Sequence, residues 1–402
     1  SNFSGYGVSC YGEDDGSIDL IVTGGNGNYT YNWNNGETTE DIDNLIAGTY
    51  SVIVTDENDC SETMIIDITQ PNNPIIITES HSSYSDFGIS CYGENDGWIN
   101  INVSGGTGTY TYSWDNGAVI ADLNNLNAGT YSLIVTDQNN CSESITIEIT
   151  QPDELIITEN YSEFNGYGVE CYGDTNGFIN LTITGGTEDY TYSWNNGEAS
   201  FDLDNLTAGI YTFNLIDGNN CEVSTTIEIT QPEALIVSED HSDFNGYGVE
   251  CYGDSNGFID LAVSGGAGNY NFDWSNGSNE GDLFDISAGV YSVIIYDENG
   301  CSEIIENINI TQPNAPITIT ENHSNYNGYG VSSTDANDGW IDLNIFGGTE
   351  NYTYSWDNGA DTYDLENLNT GTYTFILTDS NDCTESITIE ITAPEPLSIS
   401  EN

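Results

Sequence analysis

The chain has 402 residues with 66 Asp plus Glu, three His and neither Lys nor Arg, for a formal charge of −66. Carboxylates at that density repel one another, recruit cations and favour an extended, soluble molecule, while the lack of basic residues excludes phosphate-backbone binding, argues against docking on an anionic bilayer and removes every trypsin-type cleavage site. With 37% hydrophobic and 11% aromatic residues the chain is a folded polyanion; no apolar run reaches membrane-spanning length and no basic segment heads one, so export signals are expected outside this stretch.

In chain order, the first recurring element is Cys10-Tyr11-Gly12, which returns as Cys91-Tyr92-Gly93, Cys171-Tyr172-Gly173 and Cys251-Tyr252-Gly253, with Ser333-Thr334-Asp335 at the same phase of a fifth copy. The period is about 80 residues, the mark of a repeat architecture. Gln70-Pro71, Gln151-Pro152, Gln231-Pro232 and Gln312-Pro313 close four copies and Ala393-Pro394 closes the last. The boundaries expected are 1–71, 72–152, 153–232, 233–313 and 314–394, with 395–402 as the opening strand of a following repeat. Ser1–Gly7 matches Ser242–Gly248 and Pro396–Asn402 matches Ala234–Asp240, so the stretch reads as a window on a continuing array whose first repeat lacks its opening strand.

Within the second repeat, Pro74–Glu79 is a β-branched strand, and Ile99, Ile101 and Val103 alternate with Asn100 and Asn102 along the next. Gly105-Gly106 turns the chain. Tyr110, Tyr112 and Trp114 share one face of the following strand, which ends in the hairpin signal Asn116-Gly117. Leu123 and Leu126 lead to Ala128-Gly129, then Tyr131, Leu133 and Val135 alternate, and after Asp137-Gln138-Asn139-Asn140 comes a last strand with Ile145, Ile147 and Ile149 facing inward. Short, evenly punctuated strands without helical periodicity predict an all-β fold: tandem immunoglobulin-like β-sandwich domains forming an extended rod. Tyr50, Tyr131, Tyr211, Tyr291 and Tyr373 hold the position of a tyrosine corner, where a phenol satisfies a backbone carbonyl at the sandwich edge.

The stripe Tyr29, Tyr31 and Trp33, repeated in each copy, suits either a sandwich core or a sugar-stacking platform, and period-two placement favours the core. Trp98 and Trp340, where other copies have Ser17, Phe178 or Phe258, are candidates for a partly exposed contact. His81, His241 and His323 share a surface phase.

The regular spacing of Cys10 and Cys60, Cys91 and Cys141, Cys171 and Cys221, and Cys251 and Cys301, with Cys383 in the fifth copy, points to disulfides in an oxidising compartment. Pairing within a copy is the simple scheme. The first Cys, however, precedes the second strand and the second lies in the hairpin before the last, at opposite ends of a sandwich separated by about 23 Å, beyond disulfide reach. End-to-end stacking instead predicts Cys10 with Cys141, Cys91 with Cys221, Cys171 with Cys301 and Cys251 with Cys383; a Cys10 to Cys60 link is the alternative.

The same stacking brings acidic loops together. Glu13 and Asp15, Glu94 and Asp96, Asp174 and Asp254 lie beside Gly-permitted turns, and Asp56, Asp137, Asp217, Asp297 and Asp379 open the hairpins that end in Cys. Hard oxygen ligands of this kind are candidate calcium ligands, and ordinary turn chemistry explains the same residues. No EF-hand loop, phosphate-cradling loop, zinc cluster or nucleophile with a His partner occurs, so an enzyme is not expected.

The series Cys-x-Gly-x-x-Asp/Asn-Gly, Gly-Gly-x-x-x-Tyr-x-Tyr-x-Trp-x-Asn-Gly, Leu-x-Ala-Gly-x-Tyr, Thr-Asp-x-Asn-x-Cys and Ile-Thr-Gln-Pro closely resembles the SprB-type repeat of gliding-motility adhesins and other surface proteins of the Bacteroidota. The resemblance spans all five copies; the fifth departs from it in losing its first Cys and in having Thr370 for Ala. It implies type IX secretion, attachment at the cell surface and movement along it to grip a substratum. The function expected is a structural stalk segment of a giant secreted adhesin filament, with a multivalent carbohydrate-binding array as the alternative. Further repeats of the same chain and extracellular surfaces or polysaccharide are the expected partners, with no nucleic acid and no membrane insertion in this segment.

Overall fold

A computed structural model describes residues 1–400. All regular structure among them is β. Two compact units form: one comprises Ser1–Asn160, Asn180–Leu203 and Tyr211–Ile227, the other Tyr161–Ile179, Asp204–Ile210 and the residues from Glu228 onward. Repeats one and two fall in the first, four and five in the second, and the third contributes to both.

The second repeat shows how alternation becomes a sandwich. Its strands are Ile76–His81, Gly97–Ser104, Thr111–Trp114, Leu123–Leu126, Gly129–Thr136 and Ser142–Ile149. The first, second and fourth make one antiparallel sheet and the third, fifth and sixth the other. In the first sheet Ile77 faces Val103 and Ile99 faces Leu123; in the second Trp114 faces Leu133, and Tyr131 faces Ile147. Because side chains on one face recur every second residue, these registers turn Ile99, Trp114, Leu133, Val135, Ile147 and Ile149 into one core. Full burial of such side chains contributes about 1.5–3 kcal/mol each. The fourth and fifth repeats build equivalent cores around Trp274 and Trp356.

The expected features that position loops are present. Tyr50, Tyr131, Tyr291 and Tyr373 donate their hydroxyls to the carbonyls of Ile46, Asn127, Ser287 and Asn369 at 2.9–3.0 Å, which ties each sandwich edge to its fifth strand. The tryptophans are core: Trp33 and Trp114 are 2% and 3% exposed, and their indole N–H groups donate to Thr39 and Ile120 carbonyls. Trp98 and Trp340 are half-buried. The Gly105-Gly106 turn needs glycine because Gly105 has φ 77° and a Cβ there would lie 1.9 Å from the Pro74 carbonyl oxygen.

Two differences from the sequence expectation have local causes. The first strand of the second repeat starts at Ile76 rather than Pro74: Pro74 has no N–H to give a ladder, and the Asn73 carbonyl is engaged by the Gly106 amide. Leu123–Leu126 is a strand, its inward leucines separated by Asn125 at φ 54°. The first repeat, without an opening strand, has only Gly16–Ile18 and Ile42–Leu45 in its first sheet. Glu395–Ser400, expected as a strand, is not paired into one; Glu401 and Asn402 of that expected strand lie outside the described residues.

Candidate functional site at the repeat junctions

Each junction is built from two loops. One is the Cys-Tyr-Gly loop of a repeat; the other is the hairpin between the fifth and sixth strands of the next. Disulfides close them: Cys10 with Cys141, Cys91 with Cys221, Cys171 with Cys301 and Cys251 with Cys383. The expectation from stacking thus holds over pairing within a copy. Their Cα atoms are 5.6–5.8 Å apart across sequence separations of 130–132 residues. Cys60 is free and exposed.

An asparagine sits beside each bridge. Asn139 donates through Nδ2 to the carbonyls of Phe3 at 3.2 Å and Ser9 at 3.0 Å, while its Oδ1 accepts from the Ser4 hydroxyl at 2.7 Å. Asn219 does the same with Tyr84, Ser90 and Ser85. Asn299 meets Phe164, Glu170 and Asn165, and Asn381 meets Phe244, Glu250 and Asn245. Both amide hydrogens and the amide oxygen are therefore used across the gap, which fixes the approach of one repeat to the next. The partners Ser4, Ser85, Asn165 and Asn245 have φ of 46–52° on a tight turn, a conformation asparagine tolerates well and serine less so. Sequence reasoning read Asp-x-Asn-x-Cys for its Asp and missed this Asn, although Asn58, Asn139, Asn219, Asn299 and Asn381 recur in every copy.

The glutamine of each Gln-Pro pair supports the other side. Gln70, Gln151, Gln231 and Gln312 accept through Oε1 from the amides of Gly12, Gly93, Gly173 and Gly253 at 2.9–3.1 Å, holding the Cys loop against the end of its own repeat. The fifth copy loses the first Cys and this Gln together.

The hairpin aspartates are occupied by backbone amides. Asp137 accepts from Asn139 and Cys141 through Oδ1 and from Thr107 through Oδ2, at 2.8–3.0 Å. Asp217, Asp297 and Asp379 repeat this pattern and, like Asp137, are buried. Asp56 makes the corresponding bonds to Asn58, Cys60 and Asn26 but is only partly buried. Its carboxyl is held below the usual carboxylate range, chiefly by the Cys60 amide.

In the Cys loops, Asp15 and Asp96 accept from the amides of Ser9 and Ser90, and Asp174 and Asp254 from those of Cys171 and Cys251. Burial pushes the Asp15 carboxyl up, and the Ser9 hydroxyl and amide outweigh it, leaving the group lowered. Glu13 lines a cleft of about 360 Å³ at the first junction together with Pro71, Cys141 and Glu143. Smaller clefts recur beside Cys301 and Cys383, each bordered by a tyrosine, Tyr172 or Tyr252, and an acid, Glu303 or Glu385. Among the described residues no group of three or more His, Cys, Asp or Glu is arranged to hold a metal ion. His81, His241 and His323 each meet the Glu two residues earlier on the same strand at 2.8–3.1 Å. No helix of the described residues is long and apolar enough to cross a membrane.

No curated protein matches the chain at a significant level. Among solved structures, the N-terminal eight Ig domains of Down Syndrome Cell Adhesion Molecule align over 94% of this chain and 70% of theirs, at 10% identity and TM-score 0.27. A Ca2+-stabilized adhesin with which an Antarctic bacterium binds ice aligns over 79% and 98%, at 15% identity and TM-score 0.27. The protocadherin GammaB4 extracellular domain aligns over 96% and 82%, at 10% identity and TM-score 0.29. The profile of the SprB repeat matches residues 8–38, 89–119, 169–199, 249–279 and 334–361, once in each copy and always from the Cys loop into the Trp hairpin. The chain thus carries the SprB repeat signature five times, once in each copy.

Proposed function

We propose that this array is a stalk segment of a secreted cell-surface adhesin, a non-enzymatic structural element that carries load between the cell and a surface in attachment and gliding, after type IX export. The observation that carries the reading is the junction: every disulfide joins one repeat to the next, so cross-links are spent on continuity between sandwiches rather than on the cores within them. Such bonds persist in an oxidising, extracellular setting. The repeat signature and the recurrence of the same chemistry in each copy support a mechanical role over a single reactive site. Antibodies raised against this segment are expected to label intact cells and to lose that label after digestion with a Glu-specific protease followed by reduction. Labelling only of permeabilised cells rules the reading out.

Calcium belongs to the same proposal at the junction clefts, not in the hairpin turns. Glu13 and Glu143 line one cleft with no competing amide cage, whereas the Asp137 carboxylate is already engaged by three amides. Chelation that leaves the melting temperature unchanged removes the metal from the account.

Polysaccharide binding is the second reading, favoured by one observation. Tyr11, Tyr92, Tyr172 and Tyr252 are 45–60% exposed at the junctions, where a sugar ring can stack. Saturable binding to a glycan array, lost when these tyrosines become alanine, distinguishes it from a passive stalk.

A further inference from the structure

On the fourth repeat the outward face of the first sheet departs from the other copies. Where they place Asp43, Asn124, Asp204 or Glu366 on the fourth strand, this repeat carries Phe284, 66% exposed, on Leu283–Ile286. Its ring lies 6.5 Å from the ring of Phe258 on the second strand, Gly257–Gly266, with the planes tilted by 33°. Neither ring belongs to the fourth core, which draws Ile259, Leu283 and Ile286 from the same two strands.

The same face sets like charges against each other. Side chains two apart on a strand share a face, so Asp260 stands beside Phe258, and the register places Asp240 of the opening strand directly opposite Asp260. Both are exposed. Like charges directly opposite destabilise a sheet, and the equivalent pairs elsewhere avoid them: Ser80 faces Asn100 in the second repeat, and Asn322 faces Asp342 in the fifth. The chain has no Lys or Arg to place between the two carboxylates, and the ring of the adjacent His241 meets Glu239 instead.

We infer that this face of the fourth repeat docks an arginine side chain of a basic partner protein. A guanidinium is planar, so it stacks on an aromatic face while donating in a fork to carboxylate oxygens. Phe258 and Phe284 supply the rings and Asp240 and Asp260 the acceptors, neighbours on the sheet being spaced by about 5–7 Å. Charge decides among the occupants. A second copy of this chain has no Lys or Arg to offer, and anionic polymers are repelled by a formal charge of −66. A neutral ligand leaves the repulsion between Asp240 and Asp260 in place. Lysine brings its charge as a compact, strongly hydrated point, without the plane or the fork. The inference is independent of the adhesin reading.

Backbone amide spectra of the full disulfide-bonded chain, titrated at physiological salt with a short peptide bearing two arginines, test it. The shifts are expected to saturate and to centre on Phe258, Asp260 and Phe284. A peptide with lysine in place of each arginine measures the diffuse attraction of the polyanion and is expected to move these signals less. Phe284→Ala, at an exposed position outside the core, should weaken the arginine response about two- to fivefold. Asp260→Asn should act in two directions: arginine binds more weakly, and without peptide the Trp274 signal of this repeat unfolds at higher urea because the repulsion is gone. Shifts spread evenly over all five repeats, equal responses to the two peptides, or binding untouched by Phe284→Ala would overturn the inference.

Discussion

Cys10 and Cys141 are 131 residues apart in sequence and 5.7 Å apart between Cα atoms, with one repeat contributing each. The next bridge starts at Cys91, before that loop has closed, and the one after starts at Cys171, before Cys221. The four loops therefore overlap in series from Cys10 to Cys383. Every peptide bond in that span lies inside at least one closed covalent loop, so a single backbone cut cannot part the chain.

Limited digestion with a Glu-specific protease checks this directly. Singly nicked molecules should run at full mass on a non-reducing gel and fall into two fragments once reduced. Full-length pulling gives a second measure: reduction should lengthen the fully extended chain roughly three- to fourfold. Fragments that separate without reductant would contradict the overlapping ladder.

Asn219 should govern how firmly the Cys91–Cys221 bridge is held, since its amide contacts Tyr84, Ser90 and Ser85 across the junction. Asn219→Ala removes three hydrogen bonds that cost little when water replaces them and more where the carbonyls stay covered, a loss of about 1–2 kcal/mol. The bridge should then be reduced at roughly tenfold lower dithiothreitol. Asn219→Asp, which sets a carboxylate against two carbonyls, should be worse; an unchanged midpoint in both variants would show that the stacking of repeats does not depend on this side chain.

Tyr131→Phe deletes the hydroxyl that donates to the Asn127 carbonyl at 2.9 Å and leaves the ring in place. The second repeat should lose about 1 kcal/mol, read as earlier urea unfolding of its tryptophan Trp114 signal. Tyr291→Phe in the fourth repeat should act alike on Trp274, because the bond to Ser287 is equivalent.

Acid should open the Asp56–Cys60 hairpin. The Asp56 carboxyl is lowered from 3.8, first by the Cys60 amide. A depressed carboxylate binds fewer protons in the folded than in the unfolded state, so its contribution is present above pH 3.8 and is lost as the pH falls through its lower folded value. Amide exchange at Asn58 and Cys60 should therefore accelerate only below pH 3.8. Asp56→Asn, which keeps an acceptor without the charge, should flatten that dependence. The local probe matters because discharging the remaining carboxylates relieves repulsion across the chain and acts in the opposite direction.

Period-two alternation of Ile99 with Asn100, the Gly-Gly and Asn-Gly turns and the Tyr131 corner were enough to read the sandwiches from sequence, because a strand encodes in its own residues which face is buried. The pairing of Cys10 with Cys141 was also within reach, since the two ends of a sandwich are too far apart for one bridge. Other features depended on where loops of different repeats meet. Ile89 is fully buried inside a loop with no alternation to announce it. Asn139 acquires its role only when the carbonyls of Phe3 and Ser9 arrive from another repeat. The hairpin aspartates looked like free oxygen ligands until the fold turned the amide of Thr107 toward Asp137. Local patterning carries the information for burial along one strand, whereas a junction is a property of two surfaces, and only their packing decides which polar groups are satisfied by protein and which remain available.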